Sequence, residues 1–171
     1  MKLRRGIDKV GHMALAVYPG SFDPITLGHL DLVHRARRIF DRVIVAVLDN
    51  AAKKHAFCLV ERVEMARASV RGIPGVRVES FSGLLVDYLK EKNARVIIRG
   101  VRVVSDMDYE FQLASFNRRL RRDIETVFLM PDEKYTYLAS SMVKEVSRLG
   151  ASAKAFVPPL VARRLREKFK G

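Results

Sequence analysis

Cysteine, tryptophan, acidic charge and long apolar runs are all scarce in this chain of 171 residues. Its one cysteine, Cys58, has no partner for an internal disulfide, and tryptophan is absent altogether. No apolar run approaches the roughly 18–20 residues that a membrane-crossing helix needs; the longest, residues 13–17 and 43–48, have the length of strands. The opening Met-Lys-Leu-Arg-Arg lacks the apolar stretch of a secretory leader. Together these absences set the expectation of a cytoplasmic protein, built in a reducing compartment without disulfides or membrane spans. Only 10 glycines and 6 prolines punctuate the chain, too few for a low-complexity or disordered segment. With no internal repeat and no Ser/Gly linker, the expected organisation is one domain over residues 13–171, preceded by a short basic extension at residues 1–12.

Acidic residues are outnumbered 19 to 32 by Lys and Arg, giving a formal charge of +13. Such a surface raises the local concentration of anions, and nucleic acid, a membrane surface or a phosphorylated metabolite would each qualify. Much of the excess sits at the ends. Lys2, Arg4, Arg5 and Lys9 face only Asp8 at the start, and Arg163, Arg164, Arg166, Lys168 and Lys170 face only Glu167 at the finish. Arg118, Arg119, Arg121 and Arg122 fall at the end of an expected helix, where cations complement the macrodipole. Charge by itself therefore favours a solvated surface over a nucleic-acid footprint. The signatures of the latter, an RNA-recognition aromatic motif, zinc-finger spacing or a Trp for base stacking, are missing.

Short β-branched runs alternate with amphipathic segments. Residues 14–18, 42–48, 76–81, 95–98 and 126–130 read as strands, mostly continuous Val, Ile and Leu as befits strands covered on both faces. Between them Leu59, Val63, Ala66 and Val70 recur at helical spacing, and so do Tyr109, Leu113, Phe116 and Leu120. The second set predicts Tyr109 facing inward with Glu110 about 100° round the helix, and Ser105 with Asp108 has the form of a capping box. Residues 27–40, 84–91 and 140–149 supply further crossover helices. Five strands with intervening helices predict a parallel, doubly wound α/β sheet with helices on both faces. Ligands of such sheets bind outside the carboxyl ends of the strands, near the switch point, so the loops after each strand hold the candidates.

After the first strand comes Pro19-Gly20-Ser21-Phe22-Asp23-Pro24-Ile25-Thr26-Leu27-Gly28-His29. Turn residues here lead into a helix start, whose free N–H groups and positive dipole end attract phosphate. Gly20 and Gly28 permit close backbone approach, Ser21 offers a hydroxyl, and the dipole favours a neutral His29 ring that donates one N–H. The same residues also serve as plain turn punctuation with a surface histidine. Lys53 and Lys54 follow the second strand as point charges able to bridge phosphates, or as a solvated pair. Arg99 and Arg102 flank Gly100 after the fourth, where a fork of donors suits bidentate phosphate binding. Tyr135-Thr136-Tyr137-Leu138-Ala139-Ser140-Ser141 after the fifth leads into a second helix start, suited to an anion or simply to serine capping.

Thr26-Leu27-Gly28-His29 matches the T/H-x-G-H signature of nucleotidyltransferases. With residues 18–26, Phe81-Ser82-Gly83-Leu84-Leu85-Val86-Asp87-Tyr88, Ile98-Arg99-Gly100-Val101-Arg102 and Ser140-Ser141-Met142-Val143-Lys144-Glu145, the chain resembles the phosphopantetheine adenylyltransferases from about residue 13 to 168. That resemblance implies a Rossmann-like sheet and transfer of AMP from ATP to 4′-phosphopantetheine, giving dephospho-coenzyme A and pyrophosphate. It implies His29 and Lys53 as catalytic contacts to the transferring group. Ser21, Lys53, Leu85 and Arg99 fall at acceptor-binding positions, Arg99 on the pantetheine phosphate. At ATP-binding positions stand Ser21, Phe22, His29, Gly100, Val101, Arg102, Glu110 and the run Tyr135, Thr136, Tyr137, Leu138, Ala139, Ser140 and Ser141. For Glu110 a salt bridge to a neighbouring arginine competes with an ATP contact. Ala139 replaces a third serine found in some relatives, removing a hydroxyl and leaving backbone contact. The Leu84 side chain is expected in the core.

The resemblance further implies Mg2+ arriving with ATP, coenzyme A and dephospho-coenzyme A as product-side ligands, end-product inhibition and a homohexamer. No membrane or nucleic-acid partner is expected. The competing reading within the same fold is adenylyl transfer to another phosphomonoester, such as a polyol phosphate or nicotinamide mononucleotide. The competing reading outside it is a nucleic-acid-binding module.

Overall fold

The computed structural model describes residues 14–50, 54–102 and 104–169. Five strands, β1 (Leu15–Gly20), β2 (Arg42–Leu48), β3 (Val76–Phe81), β4 (Val96–Gly100) and β5 (Glu125–Leu129), form one sheet in the order β3-β2-β1-β4-β5. Every neighbouring pair is parallel. Six helices accompany them: α1 (Leu27–Ile39), α2 (Leu59–Val70), α3 (Leu85–Glu91), α4 (Val104–Leu120), α5 (Ser140–Arg148) and α6 (Pro159–Phe169). Sequence order reverses between β1 and β4, which makes that seam the switch point.

Alternation along the strands divides the core in two. Ala16, Tyr18, Val43, Val45, Val47 and Ile98 point to one face, where they meet Leu32, Val33 and Ala36 of α1, Val63 and Ala66 of α2, and Val161 and Leu165 of α6. Val17, Ile44, Ala46 and Ile97 point to the other, against Val86, Tyr88 and Leu89 of α3. Each fully buried aliphatic side chain contributes about 1.5–3 kcal/mol relative to exposure. A central strand that is apolar at consecutive positions therefore anchors two layers at once.

The observed strands and helices depart from the sequence expectation by one or two residues at several ends. Three departures go further. The cationic finish of the chain, for which the periodicity predicts no element, is a helix, α6: Pro159 opens it and Val161 and Leu165 are buried at i, i+4 spacing. Leu84 is 58% exposed at the N-cap of α3 and lies outside the core, which takes Leu85 partway instead. The register expected for α4 is turned. Tyr109 (62%), Phe116 (69%) and Leu120 (57%) are exposed while Glu110 is buried. An ion pair between Glu110 and Arg99 at the end of β4 fixes that rotation. The capping box expected of Ser105 depends on a side chain outside the described residues, as do residues 1–12 and Lys53.

Candidate active site

The cleft forms because β1 parts from β4. Their pairing includes Ala16↔Val96 and Val17↔Ile97, whereas β1 stays with β2 through Gly20↔Val47 and β4 with β5 through Gly100↔Leu129. Pro19 has no N–H to continue the ladder towards β4, and its carbonyl accepts from Arg99 Nη1 at 3.2 Å. Between the splayed ends lies a cavity of about 310 Å³ floored by Tyr18, Gly20 and Gly100. Two glycines let that floor close up. A Cβ on Gly100 would come within 2.4 Å of Leu32 Cδ1, and one on Gly20 within 3.0 Å of the Phe22 ring. Tyr18 is buried, which pushes its phenol well above the ordinary value although the Arg99 and Arg102 guanidiniums pull it down.

One wall is the start of α1. Thr26 is its N-cap, and a capping box closes between Thr26 and His29 at the third helical position. The Thr26 backbone N–H donates to His29 Nδ1 at 3.0 Å, and Thr26 Oγ1 also lies 3.0 Å from that nitrogen. An Nδ1 that accepts leaves the ring proton on Nε2, so the imidazole presents an N–H donor to the cleft it lines. Burial, reinforced by the Arg102 guanidinium, lowers its pKa from 6.5 to about 4, and the ring is neutral near pH 7. The helix dipole predicts the same neutral state; desolvation is the larger cause. The Phe22 ring, edge-on to both Tyr18 at 5.4 Å and His29 at 5.2 Å, wedges the histidine in place. Phe22 holds a positive φ of 47° to do so.

The opposite wall is cationic and helical. Arg102 Nη1 donates to the Leu138 carbonyl at 3.2 Å, tying the loop after β4 to the approach to α5. At the start of α5 the N-cap is Ala139, which makes no side-chain cap. Ser140 and Ser141 follow at its first two positions and line the cleft, together with Tyr135 from a 3-10 turn at Glu133–Tyr135. Ser140 Oγ donates to the Pro24 carbonyl at 2.7 Å, so its hydrogen fastens α5 to the β1–α1 loop while its lone pairs stay able to accept.

Arg99 departs from expectation. Its Nε and Nη2 both donate to the Glu110 carboxylate at 2.6 Å, so the fork expected to grip phosphate bidentately is occupied by protein. Burial pulls the guanidinium pKa down, but the Glu110 carboxylate outweighs it and holds Arg99 firmly charged. Arg99 still lines the cleft; Glu110 lies behind it, in the salt bridge that competed with an ATP contact.

The remaining candidates divide by position. Phe22, Gly100, Leu138 and Ala139 line the cleft with His29, Arg99, Arg102, Tyr135, Ser140 and Ser141. Outside that lining fall Ser21, whose carbonyl accepts from Arg62, Val101, which is buried, Leu85, packed in the second core layer, Thr136, half-buried, and Tyr137, which is 80% exposed. Tyr18, Asp23, Thr26 and Lys144 stand inside the sequence motifs, which name no role for any of them. Asp23 is buried and accepts from the Ala56 and Phe57 backbones at 2.9 Å and from Lys144 Nζ at 2.7 Å. Burial raises its pKa, but those three donors overcome it and hold the carboxyl below its ordinary value. Asp23 thus ties the β1–α1 loop to α5 and to the chain returning after β2. Its signal was present, a charged residue inside an otherwise uncharged loop, but no local spacing names its partners.

A switch-point cleft with a fixed imidazole donor, two arginines and an uncapped helix start is the site of a phosphate-handling α/β enzyme. Residues 17–146 match the cytidylyltransferase-like family, which narrows the class to nucleotidyltransferases. Solved structures agree on the fold. A putative nicotinate-nucleotide adenylyltransferase from Vibrio parahaemolyticus superposes with a TM-score of 0.70 at 14% identity, covering 94% of this chain and 98% of its own. A bifunctional NMN adenylyltransferase/ADP ribose pyrophosphatase from Francisella tularensis gives 0.71 at 15% identity, covering 94% of this chain and 51% of its own. Sequence relatives are nearer. The phosphopantetheine adenylyltransferases of Dictyoglomus turgidum and Thiobacillus denitrificans are 54% and 53% identical over 92% of this chain and 99% of theirs. The chain belongs to the phosphopantetheine adenylyltransferase family.

Proposed function

We propose that this chain transfers AMP from ATP to 4′-phosphopantetheine, releasing pyrophosphate and giving dephospho-coenzyme A. The observation that carries the reading is the convergence, on one cleft, of a neutral His29 with its Nε2–H available, the cations Arg99 and Arg102, and the uncapped start of α5. The acceptor is a phosphate monoester whose second pKa is about 6, so it is largely dianionic at neutral pH and needs no general base. Its oxygen attacks the α-phosphorus in line, the bond to the bridging oxygen breaks, and pyrophosphate leaves with that oxygen. The demands on the protein are positioning and charge stabilisation. His29 and Lys53 take the transferring phosphoryl group, Arg99 with Ser21 the acceptor phosphate, and Leu85 the pantetheine arm. The backbone of residues 100–102, the Arg102 guanidinium and the run 135–141 take ATP. Magnesium enters bound to ATP as part of that substrate, and coenzyme A competes from the product side.

Self-association completes the reading. The apolar stripe of Tyr109, Phe116 and Leu120 along α4 supports a homohexamer by offering surface that no element among the described residues covers. No helix among the described residues is long and apolar enough to cross a membrane. The lone cysteine supports a cytoplasmic setting. Pyrophosphate release with ATP, magnesium and 4′-phosphopantetheine tests the reaction. Release at least about tenfold faster than with nicotinamide mononucleotide or a polyol phosphate is expected, a modest requirement for a site that recognises its acceptor by buried contacts. Preference for either alternative acceptor would overturn the substrate assignment.

A further inference from the structure

Arg62, in the first turn of α2, is 1% exposed yet forms no ion pair with a carboxylate among the described residues. Its Nη1 spends both hydrogens on main-chain carbonyls, donating to Ser21 at 2.7 Å and Leu48 at 2.9 Å. Its Nε–H is buried and meets no acceptor. A lone guanidinium is an expensive way to fill a core, since an apolar side chain of similar length is usually no less stabilising. Its value must lie in what it holds.

What it holds is specific. The β1–β2 ladder ends at Gly20↔Val47, and Ser21 and Leu48 are the next residue on each strand. Arg62 therefore adds one rung where the backbones can no longer reach each other, at the point from which two site loops depart. One carries Ser21, Phe22 and His29; the other leads to Lys53. Fixing the Ser21 carbonyl also fixes the plane of the trans peptide that follows it, so the Phe22 N–H faces the opposite way. No group among the described residues accepts from that N–H.

We propose that Arg62 is a positioning residue of the adenylyl-transfer site, setting the Ser21–Phe22 peptide and the end of β2 at Leu48 in one mutual register. This rests on the function proposed above. Arg62→Met and Arg62→Lys, made in the full chain, test it by amide hydrogen exchange, thermal midpoint and steady-state kinetics. In Arg62→Met, exchange should rise about tenfold or more in both segments, residues 20–24 and 48–50, because the Ser21 and Leu48 carbonyls each lose the bond that Arg62 makes to them. Turnover should fall about 100-fold per folded molecule with KM for ATP within about threefold, the mark of lost alignment and not of lost affinity. Arg62→Lys, which keeps the charge and can reach one carbonyl, should recover about a tenth or more of turnover. Unchanged exchange in both segments would overturn the tether. A lowered midpoint with full turnover per folded molecule would reduce Arg62 to a structural role. If Arg62→Met fails to fold, Arg62→Lys and Arg62→Gln decide by the same two measurements. Wild-type protein inactive with every phosphate acceptor would sink the adenylyl-transfer reading, and the exchange experiment alone would then decide the tether.

Discussion

Two helices begin at the cleft, and their first turns are finished in opposite ways. At α1 the N-cap Thr26 accepts from the His29 N–H at 3.4 Å, and the Thr26 N–H donates back to His29 Nδ1 at 3.0 Å. At α5 Ala139 makes no side-chain cap, and the Ser140 hydroxyl donates away to Pro24. An α-helix opens with four N–H groups that lack intrahelical partners. The first helix uses part of that surplus to hold an imidazole; no side chain caps the second. One terminus thus delivers a single directed side-chain donor, the other a diffuse backbone field. This is the division expected if α1 attends the phosphorus undergoing substitution and α5 the phosphates that leave.

The hardest way to break that division is to remove the directed donor. His29→Ala should lower turnover about 10²–10³-fold, the usual cost of one donor to developing phosphoryl or oxyanion charge, with KM for ATP nearly unchanged. Steady-state kinetics decide it, and a loss confined to KM would move His29 from the transition state to the ground state. The same ring makes stability depend on pH. Unfolded, the histidine protonates near 6.5; folded, it resists until about 4. Between those values the unfolded chain binds the extra proton, so stability is fully present above pH 6.5 and declines as pH falls towards 4. The loss is on the order of 2–3 kcal/mol. Denaturant midpoints for wild type and His29→Gln across that range measure it, and parallel curves would show that the ring titrates normally.

A smaller effect belongs to the arginine between the two helix starts. Arg99→Lys keeps charge but loses the planar fork that meets Glu110, so KM for the phosphate acceptor should rise about tenfold while KM for ATP stays within about twofold. Equal rises would mean that Arg99 does not distinguish the acceptor from ATP.

Elements that depend on local pattern were legible in the sequence. The continuous Val, Ile and Leu of β2 predicted a strand covered on both faces with its boundaries intact, and Thr26-Leu27-Gly28-His29 placed the imidazole at a helix start. Features that depend on distant partners were not. Periodicity turned Tyr109 inward because apolar residues recur there. The helix instead follows the Arg99–Glu110 pair, which joins positions eleven residues apart on different elements. Asp23 finds Lys144 across 121 positions, a distance no spacing rule spans. The helix α6 had no predicted counterpart: the cationic side chains that make its solvated face also interrupt the apolar pattern of Val161 and Leu165 on the other.

The gentlest test exchanges one helix start for the style of the other. Ala139 sits at an N-cap with φ −110° and ψ 145°, the extended conformation from which a serine hydroxyl reaches back to the first-turn N–H groups. Ala139→Ser should therefore stabilise the unliganded protein by about 1 kcal/mol, read as a higher denaturation midpoint. The added hydroxyl then competes with phosphate for the donors it satisfies. If backbone N–H groups at α5 hold ATP, KM for ATP should rise about two- to fivefold with turnover unchanged, because part of the same free energy is surrendered on binding. A stabilised variant with lower KM would show that the hydroxyl joins the phosphate contacts instead of displacing them, and α5 would bind through side chains after all.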